Sequence, residues 1–175
     1  MTQLELGWLA GIMDGEGTIS LSRNQSKRDP VRWRRPALSI TSTDREILDE
    51  VQRLCDGTIC NVKKYRERMK PSWVWKLIAG EKVLALLRVL VPHLRCPLKE
   101  KRARYLIAGY ASHTKKNGQY TEVEIIKKRL WEEGFFDLGA QPHGRAIRLA
   151  TEPGSNPDED KTLGSSTLPP SAPQP

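Results

Sequence analysis

The sequence predicts an α+β fold with the element order α-β-β-α-β-β-α followed by further helices, and two kinds of periodicity carry that prediction. Apolar residues alternate with polar ones in short segments, as they do in strands that bury one face. Between and after these segments, apolar residues recur at helical spacing. The predicted strands are 18–23, 36–41, 58–66 and 73–77, and the predicted helices are 3–13, 43–54, 80–94, 98–112 and 121–133.

The four strands are predicted to form two β-hairpins. In the first strand, Ile19 and Leu21 lie on one face, and Ser20 and Ser22 lie on the other. This pattern predicts one buried face and one small polar face. Residues 24–35 are rich in Arg and Lys and are predicted to form a long basic loop.

The second hairpin contains one regular strand and one ambiguous strand. In the strand predicted over 58–66, Ile59 and Val62 fall on opposite faces unless a β-bulge intervenes. The strand that follows alternates regularly, and its apolar face comprises Trp73, Trp75 and Leu77.

Two helix starts are predicted from the capping-box pattern, in which Ser or Thr is followed three residues later by Glu or Gln. Thr2 and Glu5 have this spacing at the first helix. Thr43 and Glu46 have it at the second helix.

The first helix carries glycines at every fourth position, namely Gly7, Gly11 and Gly15, which therefore share one face. A glycine inside a helix costs about 1 kcal/mol relative to alanine, so three of them require a compensating contact. Close approach of an identical helix across a two-fold axis would supply that contact. In the alternative interpretation, Gly7 and Gly15 are only cap residues and Gly11 alone is internal.

Positive charge is concentrated on the two predicted hairpins. The chain has 29 Lys and Arg against 21 Asp and Glu, for a net charge of +8. The segments 18–42 and 58–78 hold 12 of the bases and only two acids, Asp29 and Glu67. A basic surface of this kind predicts a polyanionic partner.

The composition divides the chain into three parts. Residues 151–175 contain 15 Pro, Gly, Ser or Thr, with four acids against one base. Such a segment cannot bury enough apolar surface to offset its ordering entropy, so we predict a disordered tail. Without the tail, residues 1–150 carry 28 bases and 17 acids, a net charge of +11. We predict a folded domain over 1–136, a poorly defined connector over 137–150 and the tail over 151–175.

Three further features restrict the class of protein. No apolar run approaches the roughly 18 residues of a membrane span, and the N-terminus shows no secretion signal. Cys55, Cys60 and Cys96 form neither a disulfide framework nor a zinc-binding pair. We therefore expect an intracellular protein with no membrane partner.

The string Asp14-Gly15-Glu16-Gly17 places two carboxylates at the predicted end of the first helix. The negative end of the helix dipole disfavours anions, and a hard divalent cation would remove the conflict, because Mg²⁺ binds carboxylate and carbonyl oxygens. Two such sites, paired by glycine-faced helices, would form a two-metal centre of the kind that hydrolyses phosphodiesters. The alternative for an isolated string of this type is a solvated acidic turn.

Residues 9–17, Leu-Ala-Gly-Ile-Met-Asp-Gly-Glu-Gly, closely resemble the motif after which the LAGLIDADG homing endonucleases are named, with Glu16 replacing the second Asp. The resemblance extends over about residues 3–112. It implies the α-β-β-α-β-β-α LAGLIDADG fold, whose saddle-shaped antiparallel sheet is backed by helices. The motif occurs once, since residues 106–110 echo only its opening, and single-motif members of the family act as homodimers.

The resemblance also implies roles for individual residues. Glu16 corresponds to the metal-binding and catalytic acid, with the Gly15 carbonyl as a neighbouring ligand. Asp14 is expected to end the helix or hydrogen-bond locally, and it could also touch a metal. Lys99 resembles the lysine that family members use near the nucleophilic water, where a positive group stabilises developing charge. Its alternative role is that of a solvated or phosphate-contacting lysine.

Two further catalytic candidates follow from the same resemblance. Ser42 occupies the place where relatives often have Gln, and it could act through a water molecule. Arg45 could share that role. The alternative for Ser42 is a plain helix-capping serine.

These features together predict a site-specific homing endonuclease that makes a staggered double-strand cut in a long, roughly palindromic target. The expected cofactor is Mg²⁺, with Mn²⁺ or Ca²⁺ as alternatives in the site, and the expected partners are double-stranded DNA and a second copy of the chain. Hairpin faces would lie in the major groove, where side chains distinguish all four base pairs. The expected DNA contacts are Ser20, Ser22, Arg23, Arg28, Arg32, Arg34, Arg35, Ser39, Thr41, Lys63, Lys64, Arg66, Arg68, Lys70 and Lys76, and the expected dimer interface is Gly7, Trp8, Gly11, Ile12 and Gly15.

Two other functions could use the same fold and basic surface. One is an intron RNA maturase, with intron RNA as partner. The other is a non-catalytic, sequence-specific DNA-binding protein with a decayed metal site. The joint presence of Gly15, Glu16 and Lys99 favours the nuclease. Its expected location is intracellular and DNA-associated, in the cytoplasm, the nucleoid or an organelle.

Overall fold

A computed structural model describes residues 1–23, 33–63, 70–115 and 118–139 of the chain. The tail predicted over 151–175 and most of the connector lie outside the described residues. The described elements are α1 (Gln3–Gly15), β1 (Gly17–Arg23), β2 (Arg34–Ser42), α2 (Arg45–Cys55), β3 (Thr58–Asn61), β4 (Trp73–Leu77), α3 (Gly80–Leu90), a 3₁₀ helix (Val91–His93), α4 (Pro97–Gly109) and α5 (Glu122–Asp137). The predicted α+β class and element order are confirmed.

The two hairpins join into one antiparallel sheet with the strand order β1-β2-β4-β3. The β1–β2 ladder runs from the pair Gly17 and Ile40 to the pair Arg23 and Arg34. The second strands of the two hairpins, β2 and β4, pair at the centre of the sheet. Both hairpins therefore present their polar residues on one continuous surface.

Helices cover the other face of this sheet, as strand alternation requires. On that face Leu38, Ile40 and Trp75 have no solvent exposure. Helices α1, α2, α3 and α4 all contact strands. Their buried side chains include Leu9, Met13, Leu48, Val51, Val83, Leu87, Ala103 and Leu106. Among the helices of the described ranges, none has the length and hydropathy that crossing a membrane requires.

The two predicted capping boxes have different outcomes. At α1 the box is present in both directions, since the backbone N–H of Glu5 donates to Thr2 Oγ1 and that of Thr2 donates to the Glu5 carboxylate. The prediction at Thr43 is wrong, because Asp44 is the cap of α2 and accepts from the backbone N–H of Glu46 at 3.0 Å. A carboxylate one residue closer to the helix replaces the predicted hydroxyl.

Other boundaries also differ from the prediction. Strand β3 ends at Asn61 rather than at 66, so Val62 lies beyond the regular ladder and the conflict of parity with Ile59 disappears. Helix α3 ends at Leu90 rather than at 94, and Pro92 follows in the 3₁₀ helix. Helix α4 ends three residues earlier than predicted, and α5 extends four residues further, to 137.

The turn from α1 into β1 depends on Gly17. A β-carbon added at Gly17 would lie 2.6 Å from the carbonyl oxygen of Met13 and 2.7 Å from its Cα. Because these are backbone atoms, they cannot yield as a flexible side chain would. The close approach lets β1 start directly beneath the end of α1.

We therefore expect Gly17→Ala to lower the free energy of unfolding by about 1–3 kcal/mol, as overpacking in a tight site does. Urea denaturation measures this change. The control is Thr18→Ala at the neighbouring exposed position, which should alter stability by less than about 0.5 kcal/mol. Equal stability of the two variants would contradict the close contact.

Candidate active site

The C-terminal end of α1 is held by a lysine from α4. The last carbonyls of a helix have no intrahelical donor and carry partial negative charge. The Nζ atom of Lys99 donates to the carbonyl oxygens of Met13 at 2.8 Å and of Asp14 at 2.6 Å. Lys99 is half-buried in the first turn of α4. Its positive charge therefore sits at the negative end of α1.

Asp14 makes the complementary contact in the opposite direction. Its carboxylate accepts from the backbone N–H of Arg95 at 2.6 Å and from that of Cys96 at 3.1 Å. Helix α4 starts immediately afterwards, and its N-cap residue Cys96 supplies no side-chain hydrogen bond. The Asp14 carboxylate thus serves the N-terminal end of α4, where a negative charge is favourable.

Glu16 differs from Asp14 in being exposed. It is the C-cap residue of α1, and its backbone N–H donates to the carbonyl of Ile12 at 2.9 Å. Gly15, beside it, is exposed as well. A carboxylate and a main-chain carbonyl at this position are oxygen donors that suit a hard divalent cation. Within the described residues, no three His, Cys, Asp or Glu side chains are grouped as a metal site.

The outer face of α1 is open. The helix includes Gly7, Gly11 and Gly15, and a β-carbon added at any of them would have no atom within 4 Å. The same helix exposes 84% of Leu4 and 37% of Trp8. Since α1 begins at Gln3, the alternative that Gly7 is a helix cap is wrong. The result is a helix with a glycine-lined and apolar outer surface.

Charged residues border this surface. Arg53 on α2 donates to Glu5 and to Glu50 at 2.7 Å each. The backbone N–H of Thr2 and the Arg53 guanidinium lower the pKa of Glu5 to about 2. Glu5 and Glu50 also line a shallow depression next to Leu4 and Trp8. The apolar outer face of α1 is therefore bordered by ion pairs at its N-terminal half.

The uncovered face of the sheet is polar and basic. The strand register aligns one row of side chains across all four strands, namely Thr18, Ser39, Lys76 and Thr58. Ser22 pairs with Arg35 at the other end of the β1–β2 hairpin. The exposed bases of the described residues on or next to this sheet are Arg23, Arg35, Lys63, Lys70 and Lys76.

Residues 3–89 match the family model described as a LAGLIDADG-like domain. They form a LAGLIDADG-like domain. The motif over 9–17 spans the end of α1 and the start of β1 within that match. Helices α4 and α5, and with them Lys99, lie beyond the matched residues.

The fold is also that of solved homing endonucleases. The chain is similar to the homing endonuclease I-CvuI in complex with DNA, with 21% identity and a TM-score of 0.58 over 81% of this chain and 87% of that one. It is similar to the archaeal intron-encoded homing endonuclease I-Vdi141I complexed with DNA, with 14% identity and a TM-score of 0.54 over 81% and 88% of the two chains. It is similar to the meganuclease I-SmaMI bound to DNA, with 16% identity and a TM-score of 0.54 over 74% of this chain and 44% of that one. Among curated protein sequences, none matches this chain.

Several predicted DNA contacts are not on the uncovered face or are not described. Arg34 is half-buried, and its guanidinium donates to the carbonyl of Leu21 at 3.3 Å and pairs with Glu132 at 3.4 Å. Arg34 is thus engaged by contacts within the chain, and we exclude it from the proposed interface. The candidates that lie outside the described residues are Arg28, Arg32, Lys64, Arg66 and Arg68.

The two additional catalytic candidates make local contacts. Ser42 Oγ accepts from the backbone N–H of Asp44 at 3.0 Å, as a serine at a helix start commonly does. Arg45 donates to Asp49 at 2.8 Å in an exposed pair on α2. Since Gly17 pairs with Ile40, Ser42 lies at the same end of the sheet as the end of α1. Catalytic roles for both residues stay predictions.

Two long-range contacts of the folded chain had no signal in the sequence. The first is the capture of the backbone before α4 by Asp14, and the second is the pairing of Arg34 with Glu132. Each joins residues about 80 to 100 positions apart. Local periodicity and motif spacing carry no information over that distance.

The Asp14 contact leads to a test of stability. Asp14→Ala leaves two backbone N–H groups without their acceptor, and we expect it to lower the free energy of unfolding by about 1–3 kcal/mol. Chemical denaturation measures the loss. The control Asp49→Ala removes only an exposed ion pair with Arg45 and should cost less than about 1 kcal/mol. Equal losses would show that the Asp14 contact does not form in solution.

Proposed function

We propose that this protein is a site-specific, metal-dependent DNA endonuclease that acts as a homodimer. One observation carries the proposal. The ammonium of Lys99 lies 2.6 Å from the carbonyl oxygen of Asp14, two residues before the exposed carboxylate of Glu16. A positive donor and an oxygen ligand are thus close together at the end of a helix whose outer face is open.

The open face of α1 supports the homodimer. Glycines let two helix backbones approach closely, and a two-fold axis would pair this surface with itself. The contact would cover Leu4 and Trp8 and would bring two copies of Glu16 to one place.

Glu16 and the Gly15 carbonyl would hold the divalent ion in each subunit. We propose Mg²⁺, with Mn²⁺ and Ca²⁺ as alternatives, and I-CvuI has been crystallised in the presence of Mg and of Ca. Such an ion, when bound, stabilises charge on the phosphate and lowers the pKa of a bound water. Asp14 is proposed to position α4 rather than to bind the ion, because its two oxygens accept from Arg95 and Cys96.

Lys99 is proposed to act on the reacting phosphate. An ammonium group has three N–H donors, and two of those of Lys99 are directed to the carbonyls of Met13 and Asp14. The third can donate to hydroxide or to a phosphate oxygen. Because the carbonyls orient the group beforehand, stabilising the developing negative charge needs little reorganisation.

The uncovered sheet face is proposed to bind DNA. A β-ribbon fits the major groove of B-DNA, where all four base pairs are distinguishable. The row that includes Ser39 and Lys76 would face base edges, and exposed bases such as Arg23 and Arg35 would contact phosphates. Two sheets related by a two-fold axis read a roughly palindromic target, and two active sites give a staggered cut.

The decisive experiment uses the purified full-length protein and a plasmid library with a randomised target region. The library is incubated with and without Mg²⁺, and the ends produced are sequenced. The proposal expects ends at a recurring, nearly palindromic site with Mg²⁺ only. A protein that binds one recurring site in the library but produces no ends would instead be a non-catalytic DNA-binding protein.

The role of Glu16 is tested on the target that this selection recovers. We expect Glu16→Gln to reduce the cleavage rate by at least about 100-fold, as the loss of a group that stabilises transition-state charge does. Binding of the uncut target should change by less than about threefold, because the substitution removes a repulsive charge and no DNA contact. The control is Glu122→Gln on the exposed first turn of α5, which should cut at the normal rate. Cleavage by Glu16→Gln at the wild-type rate would refute the mechanism.

The homodimer is tested at Gly11. We expect Gly11→Leu to yield monomers in sedimentation equilibrium, because a large side chain separates the two helices. The variant should still fold, since the space around Gly11 is open within one chain and glycine is a poor helix former. It should lose only the stabilisation that association adds. The control Ala85→Leu introduces the same side chain at an exposed position on α3 and should stay dimeric. A dimeric Gly11→Leu variant would contradict the proposed interface.

A further inference from the structure

Helix α5 holds the start of β2 through a single carboxylate. Glu132 Oε1 accepts from the backbone N–H of Arg34 at 3.2 Å, and Glu132 Oε2 lies 3.4 Å from Arg34 Nε. The Arg34 guanidinium also lies over the ring of Phe136, 4.5 Å from its centroid. Main chain and side chain of the first residue of β2 are therefore both attached to α5.

One turn earlier, α5 buries a lysine. Lys128 has no solvent exposure, and its Nζ donates to Thr114 Oγ1 at 2.7 Å and lies 3.9 Å from Glu132 Oε1. The same atom lies 5.6 Å from the ring centroid of Trp33. The other rings around it, at 5.5 and 5.7 Å, are Tyr110 and Trp131. Lys128 thus contacts the residue that precedes Arg34 in the chain.

Stability alone does not account for a buried ammonium at this position. Burial lowers the pKa of Lys128, because the charged form loses hydration. Replacing a buried ion pair by apolar side chains of similar volume is often neutral or stabilising. What the charge adds is a directed set of contacts, to Thr114, to Glu132 and to the face of Trp33, that an apolar side chain cannot reproduce.

Trp33 and Arg34 lie at the edge of the proposed DNA surface. Arg34 pairs with Arg23 at the last step of the β1–β2 ladder. Trp33 and Arg34 follow directly on residues 24–32, which carry Lys27, Arg28 and Arg32. The position of Arg34 therefore sets the end of the β1–β2 ladder, where Arg23 and Arg35 are exposed. Helix α5 itself lies outside the LAGLIDADG-like domain match over 3–89.

We propose that Lys128 and Glu132 are positioning residues for DNA recognition, which fix the end of the β1–β2 ladder and thereby the placement of Arg23 and Arg35 on the target. This inference rests on the proposed DNA binding. It assigns to α5 a part in target affinity and specificity, although α5 contributes no residue to the uncovered sheet face.

The test compares Lys128→Met with Lys127→Met in the full-length protein. Both variants lose one positive charge from α5, but Lys127 is exposed and Lys128 is buried. Equilibrium binding to randomised duplex DNA, with Ca²⁺ in place of Mg²⁺, recovers a target, and the dissociation constant of each variant is then measured on it. We expect Lys128→Met to weaken binding at least 10-fold relative to Lys127→Met, with a melting temperature equal to or above that of the wild type. Lys128→Arg, which keeps the charge, should recover part of the affinity.

Binding by Lys128→Met within threefold of Lys127→Met would overturn the inference. So would a parallel fall in melting temperature and affinity, which a merely structural lysine would give. If Lys128→Met does not fold, the dissociation constant and the melting temperature are measured for Glu132→Gln instead, and the same outcomes apply.

A second readout does not depend on DNA. The Glu132 carboxylate accepts from the amide of Arg34, so hydrogen exchange at Arg34 should accelerate at least 10-fold in Glu132→Ala, which has no acceptor there, while exchange of Trp75 in β4 stays unchanged. Unaltered exchange at Arg34 would overturn the positioning role. Failure of the wild-type protein to bind any duplex would instead refute the proposed function, while the exchange measurement still tests the attachment of β2 to α5.

Discussion

The candidate site depends on a reciprocal link between α1 and α4. Lys99 at the start of α4 donates to the last carbonyls of α1, and Asp14 at the end of α1 accepts from the backbone that leads into α4. Each side chain complements the dipole of the opposite helix, so the two contacts reinforce each other. The link fixes the end of α1 in space, and with it the exposed carboxylate of Glu16 and the close turn at Gly17.

The two acids of the motif are separated by one residue but serve different purposes. Asp14 is occupied by backbone donors, whereas Glu16 is exposed at the helix end. This separation matters for a protein whose sheet is basic, because an exposed carboxylate next to a proposed DNA surface needs a compensating positive charge. A divalent ion and Lys99 are the candidates that the local chemistry offers. Replacing Asp by Glu at this position keeps the charge and lengthens the side chain by one methylene.

The helices support the sheet in two different ways. Helices α1 to α4 bury one face of the sheet and leave the other to polar side chains, so a single hydrophobic core supports one continuous polar surface. Helix α5 contributes differently. It buries Trp131 and Phe135 against α4 and attaches Trp33 and Arg34 at the edge of that surface. The charged side chains inside this contact, Lys128 and Glu132, give the end of the hairpin directed polar contacts.

Local patterns in the sequence were sufficient for the element order, for the buried faces of β1, β2 and β4, for the capping box at Thr2 and for the motif around Glu16. These features depend on residues within a few positions of one another, where periodicity and capping act directly. The order in which the strands pair, the link between Asp14 and the backbone before α4, and the removal of Arg34 from the basic surface depend on contacts between residues far apart in the chain. Such contacts arise from packing, which selects among many arrangements that the same local pattern allows. For this reason the sequence predicted Lys99 only through a resemblance, and its hydrogen bonds to Met13 and Asp14 became visible in the folded chain alone.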